Sequence, residues 1–211
     1  LVDRRAFRCD KGVEQARPVL EQGDVRHVEE ARAMIERAIE AAPRIPTGEF
    51  LLGWAWELSG WDDRAETHYR KALDLDPAFS RARLRLGRLL IVRAFLASLA
   101  SSEADREARR AKAERLAAEA GSEIERALAS GGAFDDALLL DLGRAMLAYT
   151  RRESGTLLDL VGAAVTRWAG ASGVEDFYWL ESLALDGANR ARTLDRAIDA
   201  QNSVPIADIG I

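Results

Sequence analysis

Residues 47–77 read TGEFLLGWAWELSGWDDRAETHYRKALDLDP, and the spacing inside this stretch decides the fold. Leu52, Gly53 and Trp56 fall on one side of a helix, and Ala65, Tyr69 and Ala72 do the same after a break at Gly60. Gly60 permits the turn between the two helices and Pro77 stops the second one. Gly53 and Ala65 are small enough to let two helix backbones approach to about 8 Å. The stretch therefore predicts an antiparallel helix pair.

The same pattern recurs on both sides at an offset of 34 residues. Ala31, Ile35, Ala38 and Pro43 return as Ala65, Tyr69, Ala72 and Pro77. Leu52, Gly53 and Trp56 return as Leu86, Gly87 and Leu90. Coincidence at a fixed period is the signature of a repeat architecture, in which each unit buries its apolar face against its neighbours. On these residues the chain resembles the tetratricopeptide repeat (TPR) family, with Glu49 where a Trp is common and Trp56 where a Tyr is common. The resemblance implies an all-α fold, a right-handed superhelical stack of antiparallel helix pairs, in which the first helix of each pair lines a concave face.

Working outward gives about ten helices in five pairs within a single domain, 1–211. Regular repeats cover about 12–100 and divergent, elongated pairs cover 101–211. Pair one takes roughly 10–22 and 25–41, with Pro18 shortening or kinking its first helix. Pair three opens at Leu86-Gly87 and runs into a long helix over roughly 103–129, whose Ala104, Ala108, Ala111, Leu116, Ala120, Ile124 and Ala127 form one apolar face. Gly131-Gly132 breaks that helix. Leu142, Gly143 and Met146 open a fourth pair, whose second helix spans about 154–169 with Ser154 and Thr156 as caps. A last, degenerate pair takes about 175–186 and 188–201.

Composition limits the function classes. The 211 residues are 48% hydrophobic and 31% charged, with five Pro, and strand signals are nearly absent. The apolar runs are short and broken by charge, as by Arg85, Arg88 and Arg93, so no segment spans a bilayer of about 30 Å. Net charge is −5, which gives no positive field for nucleic acid. Lys is confined to positions 11, 71 and 112, and this Arg bias fits a GC-rich bacterial genome. The first residues carry neither an apolar signal core nor Met, so the chain reads as a piece of something longer, with a cytoplasmic location expected. Cys9 is the only cysteine and reads as a free thiol.

Enzyme signatures are missing. His27 and His68 stand in no metal-ligand spacing, and neither a phosphate-binding Gly loop nor a nucleophile elbow occurs. The sequence thus predicts no catalytic residue, no metal and no cofactor. Asp62-Asp63, Asp74/Asp76 and Asp135-Asp136 fall at helix ends, and those at helix starts are expected to cap free N–H groups. Trp54 and Trp56 fall on different faces of their helix, so they form no shared ligand box, and core or hinge packing is expected for most of the tryptophans.

The resemblance places the binding surface on the first helices. Phe50, Trp54 and Glu57, with Thr47, are expected to face the groove from the second pair, and Arg81, Leu84, Arg85 and Arg88 from the third. Arg offers bidentate contacts to carboxylates and the aromatics a rigid apolar platform, a combination frequent at binding hot spots. The carboxylate clamp of chaperone-tail adaptors is not reproduced, because Phe50, Leu51 and Trp54 stand where its Lys and Asn belong. The expectation is a protein–protein scaffold or adaptor that holds a peptide or protein partner. Its outline resembles repeat regions appended to some bacterial signalling proteins. The alternatives are a small-ligand-binding accessory protein and a self-association module built on the long helix. The oligomeric state stays open.

Overall fold

A computed structural model describes residues 13, 15–20, 25–41, 44–98, 106–130, 137–170 and 174–184. Every described element is a helix. A short helical stretch, α1 (15–20), precedes α2 (Val25–Ala41), α3 (Pro46–Leu58), α4 (Asp62–Leu75) and α5 (Ser80–Ser98). Then follow α6 (Arg106–Ala129), α7 (Ala137–Thr150), α8 (Ser154–Arg167) and α9 (Glu175–Ala184). The helix expected at 188–201, the cap role of Asp135 and Asp136, and Cys9 lie outside the described residues.

The chain divides into two compact units, Leu1–Leu89 and Leu90–Ile211. In the first, α3 and α4 form the helix pair read from 47–77. Pro46 occupies the first turn of α3, where a missing N–H is no loss. Gly60 turns the chain at φ +76, a left-handed conformation that a residue with a Cβ adopts only at a cost. Gly53 lies under the next helix so closely that a Cβ there would stand 2.7 Å from the Tyr69 ring and 3.2 Å from the Ala65 carbonyl. The two small residues thus make the close approach, and Tyr69 fills the space between them with no exposed surface. Ala31 and Ile35 of α2, Leu51, Leu52 and Ala55 of α3, Ala65 and Ala72 of α4, and Leu86 and Leu89 of α5 complete this core. Full burial of a side chain of Leu size contributes about 1.5–3 kcal/mol, so this apolar set dominates the local stability.

The caps differ from the sequence expectation. The residue before α4 is Trp61, which makes no side-chain capping bond, and Asp62 and Asp63 sit inside the first turn. There their charge meets the positive end of the helix dipole. Likewise Glu153 stands at the start of α8, so Ser154 and Thr156 lie within the helix and not at its cap.

In the second unit α7 packs against α6, α8 and α9. Ile124 and Ala127, Met146 and Ala145, Leu157 and Val161, and Phe177 and Leu180 meet in its core. The apolar face expected along all of α6 packs only in its C-terminal half. Ala120, Ile124 and Ala127 are buried, while Ala108 and Ala111 are exposed. The cause is length. At about 1.5 Å per residue the 24 residues of α6 outrun the 14 of α7.

Candidate functional site

The residues expected to bind a partner come from α3 and α5, and the structure sorts them by depth. Phe50 and Leu84 belong to the core, at 5% and 3% exposure. Phe50 meets Phe79 edge-on, with ring centroids 5.2 Å apart, and lies 6.0 Å from Tyr69. Trp54, Glu57, Arg81, Arg85 and Arg88 keep partial access to solvent, as does Thr47.

Glu57 organises this face. Its Oε1 accepts a hydrogen bond from Arg88 Nη1 at 2.6 Å, and its Oε2 accepts one from the Tyr69 hydroxyl. Both oxygens are therefore engaged before Arg85 is considered. Arg85 Nη1 stands 3.6 Å from Oε2, an ion-pair distance without a hydrogen bond, and its guanidinium carbon lies 4.4 Å from the centroid of the Trp54 ring. Burial pushes the Tyr69 hydroxyl well above the usual tyrosine range, and the Glu57 charge adds to the shift, against smaller opposing effects of Arg85 and Arg88. Tyr69 thus stays a donor.

Two groups on this face are not fully engaged. Trp54 Nε1 is buried and has no acceptor among the described residues. Arg81, one turn before Arg85 on α5, makes no hydrogen bond or ion pair among them either. Spacing of four residues puts Arg81 and Arg85 on one helix face.

Sequence reading missed a second polar link in the same helix pair. Glu49 is 8% exposed, and His68 Nδ1 lies 2.7 Å from its Oε2. The two side chains share one hydrogen bond across the helix pair. Glu49 is thus a satisfied buried acid, and the signal was available: an acid at a position where the repeat prefers Trp demands a donor from the facing helix.

Trp54, Trp56, Trp168 and Trp179 are part-buried and Trp61 is exposed, and several of them carry arginines. Trp54 carries Arg85, Trp56 carries Arg32 and Arg64, and Trp168 carries Arg167. Trp168 Nε1 also donates to Asp141 Oδ2 at 3.0 Å, and Arg144 and Arg167 each donate to the same carboxylate at 3.3 Å. Asp141 thereby ties α7 to the end of α8 much as Glu57 ties α3 to α4 and α5.

An open cavity of about 250 Å³ lies between α6 and α7, lined by Ala117, Gly121, Ser122, Leu147 and Thr150, with the Glu125–Arg151 ion pair at its edge. Ligand pockets run to about 300–1,000 Å³, and this space falls just below that range. Among the described residues no group of His, Cys, Asp and Glu is placed to hold a metal ion. No described helix is long and apolar enough to cross a membrane.

The helix pairs of the first unit, with Gly53 under Tyr69 and Gly60 in the turn, make this a TPR-like helical-repeat fold. No protein-family model and no curated protein matches the chain. Among solved structures it is similar to PilF of Pseudomonas aeruginosa, at 18% identity and a TM-score of 0.41, over 92% of this chain and 90% of that one. A likeness at that level decides nothing about function.

Proposed function

We propose that the face shared by α3 and α5 binds a peptide segment of a protein partner, one that presents a carboxylate beside an apolar side chain. The observation that carries the reading is the buried Trp54 Nε1–H without an acceptor, under the Arg85 guanidinium. A buried donor left unpaired costs about 1–3 kcal/mol, and a site that tolerates such a loss is a place to look for a ligand. Arg85 is redundant at Glu57, because Arg88 and Tyr69 already engage both carboxylate oxygens. Arg81 and Arg85 therefore have N–H groups to offer an incoming carboxylate, and Trp54 offers the apolar surface.

In this reading the protein is a scaffold or adaptor, a holder of partners and not a catalyst. Its repeat pattern suits a cytoplasmic module of a larger bacterial signalling protein.

Fluorescence anisotropy with labelled peptides of alternating Asp and Leu tests the proposal. The parent should bind saturably, and an Arg81→Glu/Arg85→Glu variant of unchanged circular dichroism should lose at least about tenfold in affinity, equivalent to about 1.4 kcal/mol. Equal binding by the two would sink the reading.

A further inference from the structure

The longest helix of the second unit, α6, presents a side that the described residues of that unit leave largely exposed. Ala120, Ile124 and Ala127 turn into the core, and α7 packs on the helix. On another side Ala108, Ala111, Arg115, Ala118, Ser122 and Glu125 succeed one another at alternating steps of three and four residues. Ser122 is half-buried and the other five are exposed. That alternation is the period of a seam between two helices wound around each other, and here it holds over about 27 Å. Four of the six side chains are small, so a second helix backbone can approach to about 8 Å.

Charge selects the occupant. Residues 106–117 carry five basic side chains and two acidic ones, and residues 118–129 carry one basic and three acidic. An acidic segment of another protein would suit the first half and be repelled by the second. A second α6 laid antiparallel suits both, because the basic half of each helix then meets the acidic half of the other, whereas a parallel copy sets like on like. The seam also fixes the register. Ala111 falls opposite Ser122 and Arg115 opposite Ala118, each pair occurring twice by two-fold symmetry. Lys112 and Glu119 each stand one residue beyond a seam position, on the same flank, so this register sets Lys112 of each copy beside Glu119 of the other. The charges within the seam are accommodated. Glu125 accepts a hydrogen bond from Arg151 of α7 at 2.8 Å, so no lone carboxylate is covered, and the Arg115 stem lies along the seam with its guanidinium in water.

We infer that α6 is a self-association surface whose occupant is α6 of a second copy, antiparallel to the first about an axis between Arg115 and Ala118. The surface uses none of the residues of the α3–α5 face. A seam of small side chains gives a weak, reversible dimer, with a Kd of about 10–100 μM.

Sedimentation equilibrium of the 211-residue chain, run from about 5 to about 500 μM to bracket that constant, is the test. The mean mass should rise from 23.2 kDa toward twice that value. Lys112→Glu and Glu119→Lys should each weaken the dimer at least about tenfold, because each sets like charges side by side at two places. An equimolar mixture of the two variants should restore it, since each then meets the opposite charge on the other. A parent chain that stays monomeric throughout leaves the seam to a different protein and overturns the inference. A variant that dimerises like the parent, or a mixture that associates no better than its components, overturns it as well. Lys112 is exposed, so Lys112→Glu alone decides the matter if circular dichroism shows Glu119→Lys to be unfolded.

Discussion

Glu57 and Arg88 are 31 residues apart in sequence and 2.6 Å apart in space. That contact, with the Tyr69 hydroxyl on the other carboxylate oxygen, joins three successive helices, α3, α4 and α5, at one charged group. With only 9% of the Glu57 side chain exposed, the carboxylate depends on these donors.

A double-mutant cycle measures that dependence. Glu57→Gln and Arg88→Met should each destabilise the protein by about 1–3 kcal/mol in urea unfolding, since each removes a charge-assisted hydrogen bond at a part-buried group. The double variant should recover about 1 kcal/mol relative to the sum. Strict additivity would show that the contact does not couple α3 to α5.

Two glycine substitutions should act in opposite directions. Gly53→Ala places a Cβ 2.7 Å from the Tyr69 ring, so a backbone must move, at a cost of about 1–3 kcal/mol. Gly162→Ala lies inside α8 on an exposed face, with nothing within 4 Å of the new Cβ, and should stabilise by about 0.5–1 kcal/mol. Thermal melts of the two variants check the signs, and a tolerated Gly53→Ala would contradict the close packing of α3 on α4.

Tyr69 sets an alkaline limit. Its hydroxyl titrates well above the ordinary value of 10.0 in the folded protein because burial, and then Glu57, disfavours the phenolate. The unfolded chain releases this proton first as pH rises through about 10, so the stabilisation is complete below that pH and declines above it. Urea midpoints at about pH 8 and about pH 11 should fall more steeply for the parent than for Tyr69→Phe. Equal slopes would mean that Tyr69 is not held protonated.

The fold was legible where small residues and breakers stand at fixed offsets. Gly53, Ala65, Gly60 and Pro77 predict the α3–α4 pair, and the structure places them as their chemistry requires. Legibility declined where a pattern admits more than one partner. The alanines of α6 read as one apolar face, but a face packs only as far as a neighbour extends, and neighbour length is not written in the helix itself. In the candidate site, the resemblance to the repeat family sets Trp54 and Glu57 of α3 on the same side as Arg85 and Arg88 of α5. It does not say that Phe50 and Leu84 sink into the core, because depth depends on the rings of Phe79 and Tyr69 from other elements. Nor does it show that Glu57 engages Arg88 and draws Arg85 close, which requires three helices in place.

The central claim is that Trp54, the Arg85 over it and Arg81 one turn before await an acidic, apolar peptide. Its most direct test is the Trp54 indole N–H resonance, followed as an Asp/Leu peptide is added. The account predicts a saturable movement as the peptide seats against Arg85 and the Trp54 ring, abolished in Arg81→Glu/Arg85→Glu. A Trp54 signal that stays in place while the peptide binds elsewhere, or moves equally in the double variant, would contradict it.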